Sequence, residues 1–336
     1  MTESFPLLKL PLIALEPIIE QLDFLDLVQI SMKSSKFKGI LQLLKLSVRT
    51  LDVSITERSY GISITQNCNL SYIDVCDSVP VEATSEAANI QGELVHIWKD
   101  GSNVLKVKSD SSKLAILETI TKHVLSFTKV GKYFLTLRDV RTEIRSLFIW
   151  QLTTQLDQLK MFHNNGIHVP ISPENLAYIL DGISIKSLFL NVSCPGFKYK
   201  RPIRHRVICI SRPCWIDFDQ ISLGPETITV HFFNQKVSHT VLNRLIKDWT
   251  EGKNPKLGVV LFTWEDNDSE SLSLAREHET RPPKPVLPNR NIEQLKGLCI
   301  NHRMKHWFRH QSVYYEVRLS VEEELSLSGI HLDDQN

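Results

Sequence analysis

Signatures of catalysis are what this chain lacks most plainly. It contains no Walker loop and no GxGxxG, GxSxG, HExxH or kinase pattern. Its 13 glycines are spread too thinly to build a phosphate-cradling loop. An excess of one charge is missing too. Lys and Arg number 39 against 38 Asp and Glu, so a net +1 provides no global field towards nucleic acid or membrane. No apolar run approaches the roughly 18 residues of a membrane-spanning helix. The six cysteines (Cys68, Cys76, Cys194, Cys209, Cys214 and Cys299) form no CxxC pair. That spacing argues against a disulfide framework or structural zinc and for free thiols in a reducing compartment. Glu3 and a single early lysine, Lys9, are not the basic region of a secretory signal, so the chain is expected in the cytosol or nucleus. The Asn-x-Ser matches at Asn69, Asn191 and Asn267 then read as chance.

What is present is the composition of an ordinary globular chain, 42% hydrophobic and 23% charged over 336 residues. That length suits a small module plus one or two domains with their own cores. The densest signal lies in the first forty-odd positions. Leu10-Pro11 opens a helix, because proline is tolerated where its missing N–H has no partner. Leu15, Ile18, Ile19 and Leu22 follow at helical spacing. Asp26 is expected to cap a second helix carrying Leu27, Val28 and Ile30, and Phe37, Ile40, Leu41 and Leu44 mark a third. So much aliphatic surface on three short helices needs a cover, either the rest of the chain or a partner.

The order Phe5-Pro6-Leu7-Leu8-x-Leu10-Pro11, with its Ser31-Met32-x-Ser34-x-Lys36 close, resembles an F-box of the divergent nematode type over about residues 5–45. The resemblance implies that Leu10, Pro11, Leu15, Ile18, Ile19, Leu22, Leu25, Leu27, Val28 and Ile30 form the module's core or its contact with a Skp adaptor, and through it a cullin. Pro17 departs from the pattern, since a proline ring inside a helix clashes with the preceding turn and implies a kink or restart.

Beyond residue 45 the expected class is α+β, a mixed α/β chain after the three-helix module. Residues 46–53 and 60–65 alternate as half-buried strands do, and 95–98 with 104–107 read as a hairpin around Lys99-Asp100-Gly101-Ser102. Leu114, Leu117, Ile120, Val124 and Leu125 mark a helix over 114–127. Segment 46–140 is thus a mixed connecting region. From 141 to 265, units of helix, short break and apolar strand suggest an irregular leucine-rich-repeat-like region, with an ordinary α/β domain as the alternative. Its landmarks are Ser172-Pro173-Glu174 ahead of Leu176, Ile179, Leu180 and Ile183, the strand 187–192, a helix after Ser238 with Leu242, Leu245, Ile246 and Trp249, and the strand 256–264. The run Leu242-Asn243…Trp249…Gly252-x-Asn254-Pro255-x-Leu257 resembles the type 2 F-box-associated domain of nematodes.

Residues 266–291, with Pro282, Pro283, Pro285 and Pro288, read as a loop or linker, and 292–336 as a terminal segment with an exposed tail at Glu322-Glu323-Glu324. His302, His306 and His310 would share one face of a helix, but Arg303, Lys305 and Arg309 surround them, so a basic face is the stronger reading than a metal site. Lys198 to Arg206 is a basic run that reads as a nuclear-localisation or nucleic-acid patch, or equally as a solvated loop or a surface for an acidic partner, and the near-neutral overall charge weighs against nucleic acid. The resemblances together imply a non-enzymatic target-selecting subunit of a Skp–cullin ubiquitin ligase, without cofactor or metal. The alternatives are a stand-alone interaction module and a nucleic-acid-associated protein acting through residues 198–206.

Overall fold

The computed structural model describes residues 10–57, 59–138, 143–162, 168–233, 235, 239–265, 298–307 and 310–319. They fall into two compact units, Met1–Phe197 and Lys198–Asn336, which divide inside the region read above as repeat-like.

The first unit opens with α1 (Leu12–Gln21), α2 (Phe24–Lys33) and α3 (Ser35–Leu44). Pro11 stands immediately before α1. The helix runs unbroken through Pro17, contrary to the restart its ring implied. The carbonyl that Pro17 leaves unpaired belongs to Ile13, an exposed residue, so the missing bond lies where water can replace it. The cap of α2 is Asp23, not Asp26. Asp23 is extended, and its Oδ1 accepts the Leu25 N–H at 2.8 Å. Asp26 falls in the first turn, where a carboxylate suits the helix dipole, and pairs with Lys99 at 2.6 Å. Ser34 caps α3 by accepting the Phe37 N–H at 3.2 Å.

A large mixed sheet follows: β1 (Leu46–Thr56), β2 (Tyr60–Gln66), β3 (Asn69–Val75), β4 (Glu86–Ile90), β5 (Glu93–Lys99), β6 (Val104–Lys108), β7 (Thr128–Arg138), β8 (Gln155–Phe162) and β10 (Ser184–Leu190). Their order is β10-β8-β7-β1-β2-β3-β6-β5-β4. The hairpin expected from residues 95–98 and 104–107 is present as antiparallel β5 and β6. A small parallel pair, β9 (Val169–Pro170) and β11 (Val192–Ser193), lies outside the main sheet. Helix α4 (Lys113–Phe127) begins at Ser112, whose Oγ accepts the Ala115 N–H at 3.3 Å.

The register builds one continuous apolar layer. Leu105, Ile73, Ile62, Val53, Leu135, Leu159 and Leu188 are successive cross-strand partners, and all are buried. Against the β2–β3–β4 side of this layer pack Leu117, Ile120, Val124 and Phe127 of α4, with α2 beside β3 and β4. Parallel β7, β8 and β10 follow one another across the sheet, so right-handed crossovers place both connections on one face. Those connections include α5 (Ile149–Leu152) and α6 (Pro173–Ala177) and bring Ile144, Leu147, Leu176 and Ile179 into the core. Ser172 caps α6 as expected, accepting the Asn175 N–H at 3.2 Å.

Gly61 on β2 is buried because nothing larger fits. A Cβ there would lie 2.6 Å from the Ile73 carbonyl oxygen and 2.8 Å from Asp74 Oδ1. Gly61→Ala is expected to destabilise the unit by about 1–3 kcal/mol, read as a lower midpoint in denaturant unfolding.

The second unit carries parallel β12 (Val207–Ser211), β13 (Thr229–Phe233) and β14 (Val259–Glu265), then antiparallel β16 (His310–Leu319) and β15 (Leu298–Trp307). Helix α7 (His239–Thr250) buries Val241 and Leu245. It ends in a Schellman turn: the Gly252 N–H reaches the Trp249 carbonyl and the Lys253 N–H the Asp248 carbonyl, both at 2.9 Å. Gly252 has φ +76, which explains the Trp-x-x-Gly spacing of the motif. The histidine triplet is not helical, since His302 lies on β15 and His310 on β16. His306 pairs with Gln311 across that hairpin. Residues 5–9, Ser238, the proline-rich segment 266–291 and the Glu322–Glu324 tail lie outside the described residues. Among the described residues no helix is long and apolar enough to cross a membrane.

Candidate functional site

Helix α1 is apolar on two sides. Leu15 and Ile19 are buried, while Ile13, Ala14, Pro17 and Ile18 form an exposed stripe at i, i+1, i+4 and i+5 on the opposite face. Ile13 is 82% exposed and Ile18 36%. The ten positions carried by the F-box resemblance separate accordingly. Leu15, Ile19, Leu25, Leu27 and Val28 belong to this chain's own core. Leu10 and Leu22 are half-buried, and Pro11, Ile18 and Ile30 are exposed. Leu12, Ile13 and Leu43 are exposed aliphatics that the motif alone did not single out. Their signal was available in the periodicity, because Ile13 lies off the Leu15/Ile19 stripe.

The helices are anchored firmly. Lys33 of α2 pairs with Glu86, and Gln29 donates to Glu86 Oε2 at 3.2 Å. Deeper in, Ser31 Oγ donates to the Val28 carbonyl at 2.7 Å and lies 2.8 Å from His123 Nε2 of α4. A hydroxyl whose proton is already used must accept, so His123 carries its proton on Nε2. Its Nδ1 has no partner, as suits a neutral ring. Burial, assisted by the nearby Lys38 charge, pushes the imidazole down to about 4.

The first unit's sheet presents a second candidate surface. One residue out of register from the apolar layer, Asp74, Gly61, Ser54, Thr136, Lys160 and Phe189 follow one another across six strands. Beside them run Tyr72, Ser63, Asp52, Phe134, Gln158 and Ser187, all half-buried. Arg138 of β7 lies over the Phe162 ring, 4.6 Å from its centroid. Lys106 and Asp74 form an ion pair at 2.9 Å. Asp52 accepts from the Thr136 hydroxyl at 3.1 Å, and burial raises its carboxyl to about 6. A carboxyl poised there can donate or accept a hydrogen bond, and the nearby Lys160 ammonium opposes part of the upward shift.

In the second unit Cys209 and His231 are cross-strand partners, the residue types of a thiol nucleophile and its base. Burial raises the thiol to about 11 and lowers the imidazole to about 4, so the thiol stays protonated near neutrality and the neutral ring beside it is too weak a base to ionise it. The basic run is an extended strap. Tyr199, Ile203 and His205 point inward, while Lys198, Lys200, Arg201, Arg204 and Arg206 are exposed. Among the described residues no His, Cys, Asp and Glu cluster suits a metal ion, and the cysteines described are free thiols. No protein-family model, curated protein or solved structure matches this chain.

Proposed function

We propose that the chain is a receptor subunit of a Skp–cullin ubiquitin ligase. In this reading the exposed stripe of α1 docks on the Skp adaptor, and the remainder of the chain selects the target. The observation that supports it is the two-sided apolarity of α1. Leu15 and Ile19 hold the helix to its own unit, which leaves Ile13, Pro17 and Ile18 to face a partner. Burying each exposed aliphatic side chain contributes on the order of 1.5–3 kcal/mol before ordering costs. The F-box-like order of residues 5–45 supplies the identity of that partner. The subunit performs no chemistry of its own. It raises the effective concentration of a target lysine beside the charged ubiquitin carrier, in the cytosol or nucleus.

Titration calorimetry of the full chain with a Skp adaptor tests the reading. Binding by the native chain is expected, with at least a tenfold loss in an Ile13→Asp, Ile18→Asp variant, roughly the 1.4 kcal/mol per tenfold of lost contact. Both positions are exposed, so the unfolding midpoint should stay unchanged. A native chain that ignores the adaptor removes the ligase role. The stand-alone module then becomes the better reading, favoured by the five core positions within the F-box-like segment.

A further inference from the structure

We infer that the exposed cations of the basic strap, Lys198, Lys200, Arg204 and Arg206, bind an extended segment of a partner protein whose carboxylates occupy alternate positions. The strap belongs to the second unit and α1 to the first, so this contact is not the adaptor contact. It names the class of target for the receptor role above and rests on that reading for its setting.

The strap is built to hold these side chains outward. Tyr199, Ile203 and His205 are buried, so their chain neighbours at 198, 200, 204 and 206 face solvent. Hydrogen bonds to the adjoining loop fix that alternation. The Tyr199 N–H donates to the Trp215 carbonyl at 2.9 Å, and the Ile203 N–H to the Ser222 carbonyl at 3.1 Å. The Ile203 and Arg206 carbonyls accept the Gly224 and Ile228 N–H groups, both at 2.8 Å. The His205 carbonyl accepts the Thr227 hydroxyl at 2.9 Å. Gly224 allows this close approach, because a Cβ there would lie 2.9 Å from the Arg204 Cα. The cations are thus preorganised as two pairs, about 7 Å apart within each pair, on either side of the bend at Arg201.

Their charge has no internal answer. Residues 198–216 contain six Lys and Arg and no Asp or Glu. Lys200, Arg204 and Arg206 form no ion pair among the described residues. Lys198 donates to the Cys214 carbonyl at 3.0 Å, which leaves its charge uncompensated. Of the nearest carboxylates, Glu226 is paired with Lys256, and Asp217 accepts the Asp219 N–H at 3.1 Å.

Spacing then selects the partner. An extended polypeptide has the same two-residue repeat as the strap, so carboxylates at alternate positions meet the cations one for one. The bend places three residues between the two pairs, which asks for acid-x-acid, a three-residue gap, and acid-x-acid. Single-stranded nucleic acid is held by aromatic stacking as well as by cations. Here the Tyr199 ring is buried, edge-on against Trp215. A membrane surface would ask for apolar side chains to enter it, and the only exposed residue of 198–206 that is not a cation is Pro202.

Fluorescence anisotropy on the full-length chain provides the test. The probe is labelled Glu-Thr-Glu-Thr-Ser-Thr-Glu-Thr-Glu, compared with an isomer whose Glu residues are contiguous, a Lys counterpart and a single-stranded oligonucleotide. The spaced acidic peptide is expected to bind, more weakly as salt rises, and the isomer several-fold less tightly. Lys200→Gln with Arg204→Gln should weaken binding by roughly tenfold or more, with an unchanged unfolding midpoint because both side chains are exposed. Gly224→Ala should weaken it several-fold by displacing the strap without altering its charge. Lys36→Gln with Lys129→Gln, exposed cations of the first unit, should leave it unchanged. Absence of binding, equal affinity for the two isomers, tighter binding of the oligonucleotide or equal loss through the first-unit substitutions would overturn the proposal. So would binding that appears only after Glu322, Glu323 and Glu324 are changed to Gln, since the chain's own carboxylates would then fill the row. Adaptor binding is measured in parallel. A native chain that binds the adaptor but not the peptide rejects the strap contact alone, and one that binds the peptide but not the adaptor rejects the ligase role alone.

Discussion

Phe127→Ala is expected to destabilise the first unit by about 3–5 kcal/mol in denaturant unfolding. Phe127 closes α4 and is fully buried. Its ring lies 6.5 Å from Phe24 of α2 and 5.6 Å, edge-on, from His123. It is therefore the wedge between the N-terminal helices and the helix that covers the sheet. Truncation removes transfer energy and leaves a cavity that α2 cannot fill, because Lys33 and Asp26 are tied to Glu86 and Lys99. A second readout follows from the same contact. Water admitted beside His123 should raise its pKa from about 4 back towards 6.5, visible as a shifted imidazole titration. A loss below about 1 kcal/mol with an unmoved titration would mean that α2 and α4 are held together by something else.

The largest pH effect should appear only after one residue is changed. His123 titrates near 6.5 when unfolded and about 4 when folded, so between those values the unfolded chain binds the extra proton. Its stabilising effect is complete above 6.5 and is lost as pH falls through that window, about 3 kcal/mol in full. Asp52 acts in the opposite sense. Its carboxyl moves from 3.8 up to about 6, so the folded chain holds a proton that the unfolded chain has released. That stabilisation is complete below 3.8 and is lost as pH rises through 6, again about 3 kcal/mol. From pH 6 to 4 the two slopes nearly cancel. Asp52→Asn keeps a side chain that accepts from Thr136 but removes one slope. The variant should be the more stable one at pH 7.5, and should lose about 3 kcal/mol more than the native chain on acidification to pH 4. Amide exchange of α4 against pH reads this within the first unit. Parallel profiles for variant and native chain would refute the assignment of the raised carboxyl.

Local patterns were legible where one element buries one stripe. The spacing of Leu117, Ile120 and Val124 predicted α4, and the alternation in residues 46–53 and 60–65 predicted β1 and β2. Ser172 was readable as a cap because Pro173 follows it. Asp26 was misread because Asp23 and Asp26 both precede apolar residues, and only the backbone at Asp23 decides which one is extended. The histidine triplet was misread because a spacing of four places residues on one side of a helix and of a strand alike. Strands β3, β7 and β8 escaped notice because their polar positions are half-buried as well, which blurs the alternation.

By itself, the sequence determined the three N-terminal helices, the α+β class and the absence of known catalytic signatures, because each depends on residues within a few positions of one another. Tertiary structure decided which side of α1 remains exposed, and it decided that Asp52, Lys160 and Arg138 share one face with four aromatic rings. Those outcomes depend on strand order and register. Register brings Asp52, Phe134 and Gln158 into one row across three parallel strands, although more than twenty residues separate each from the next in the chain.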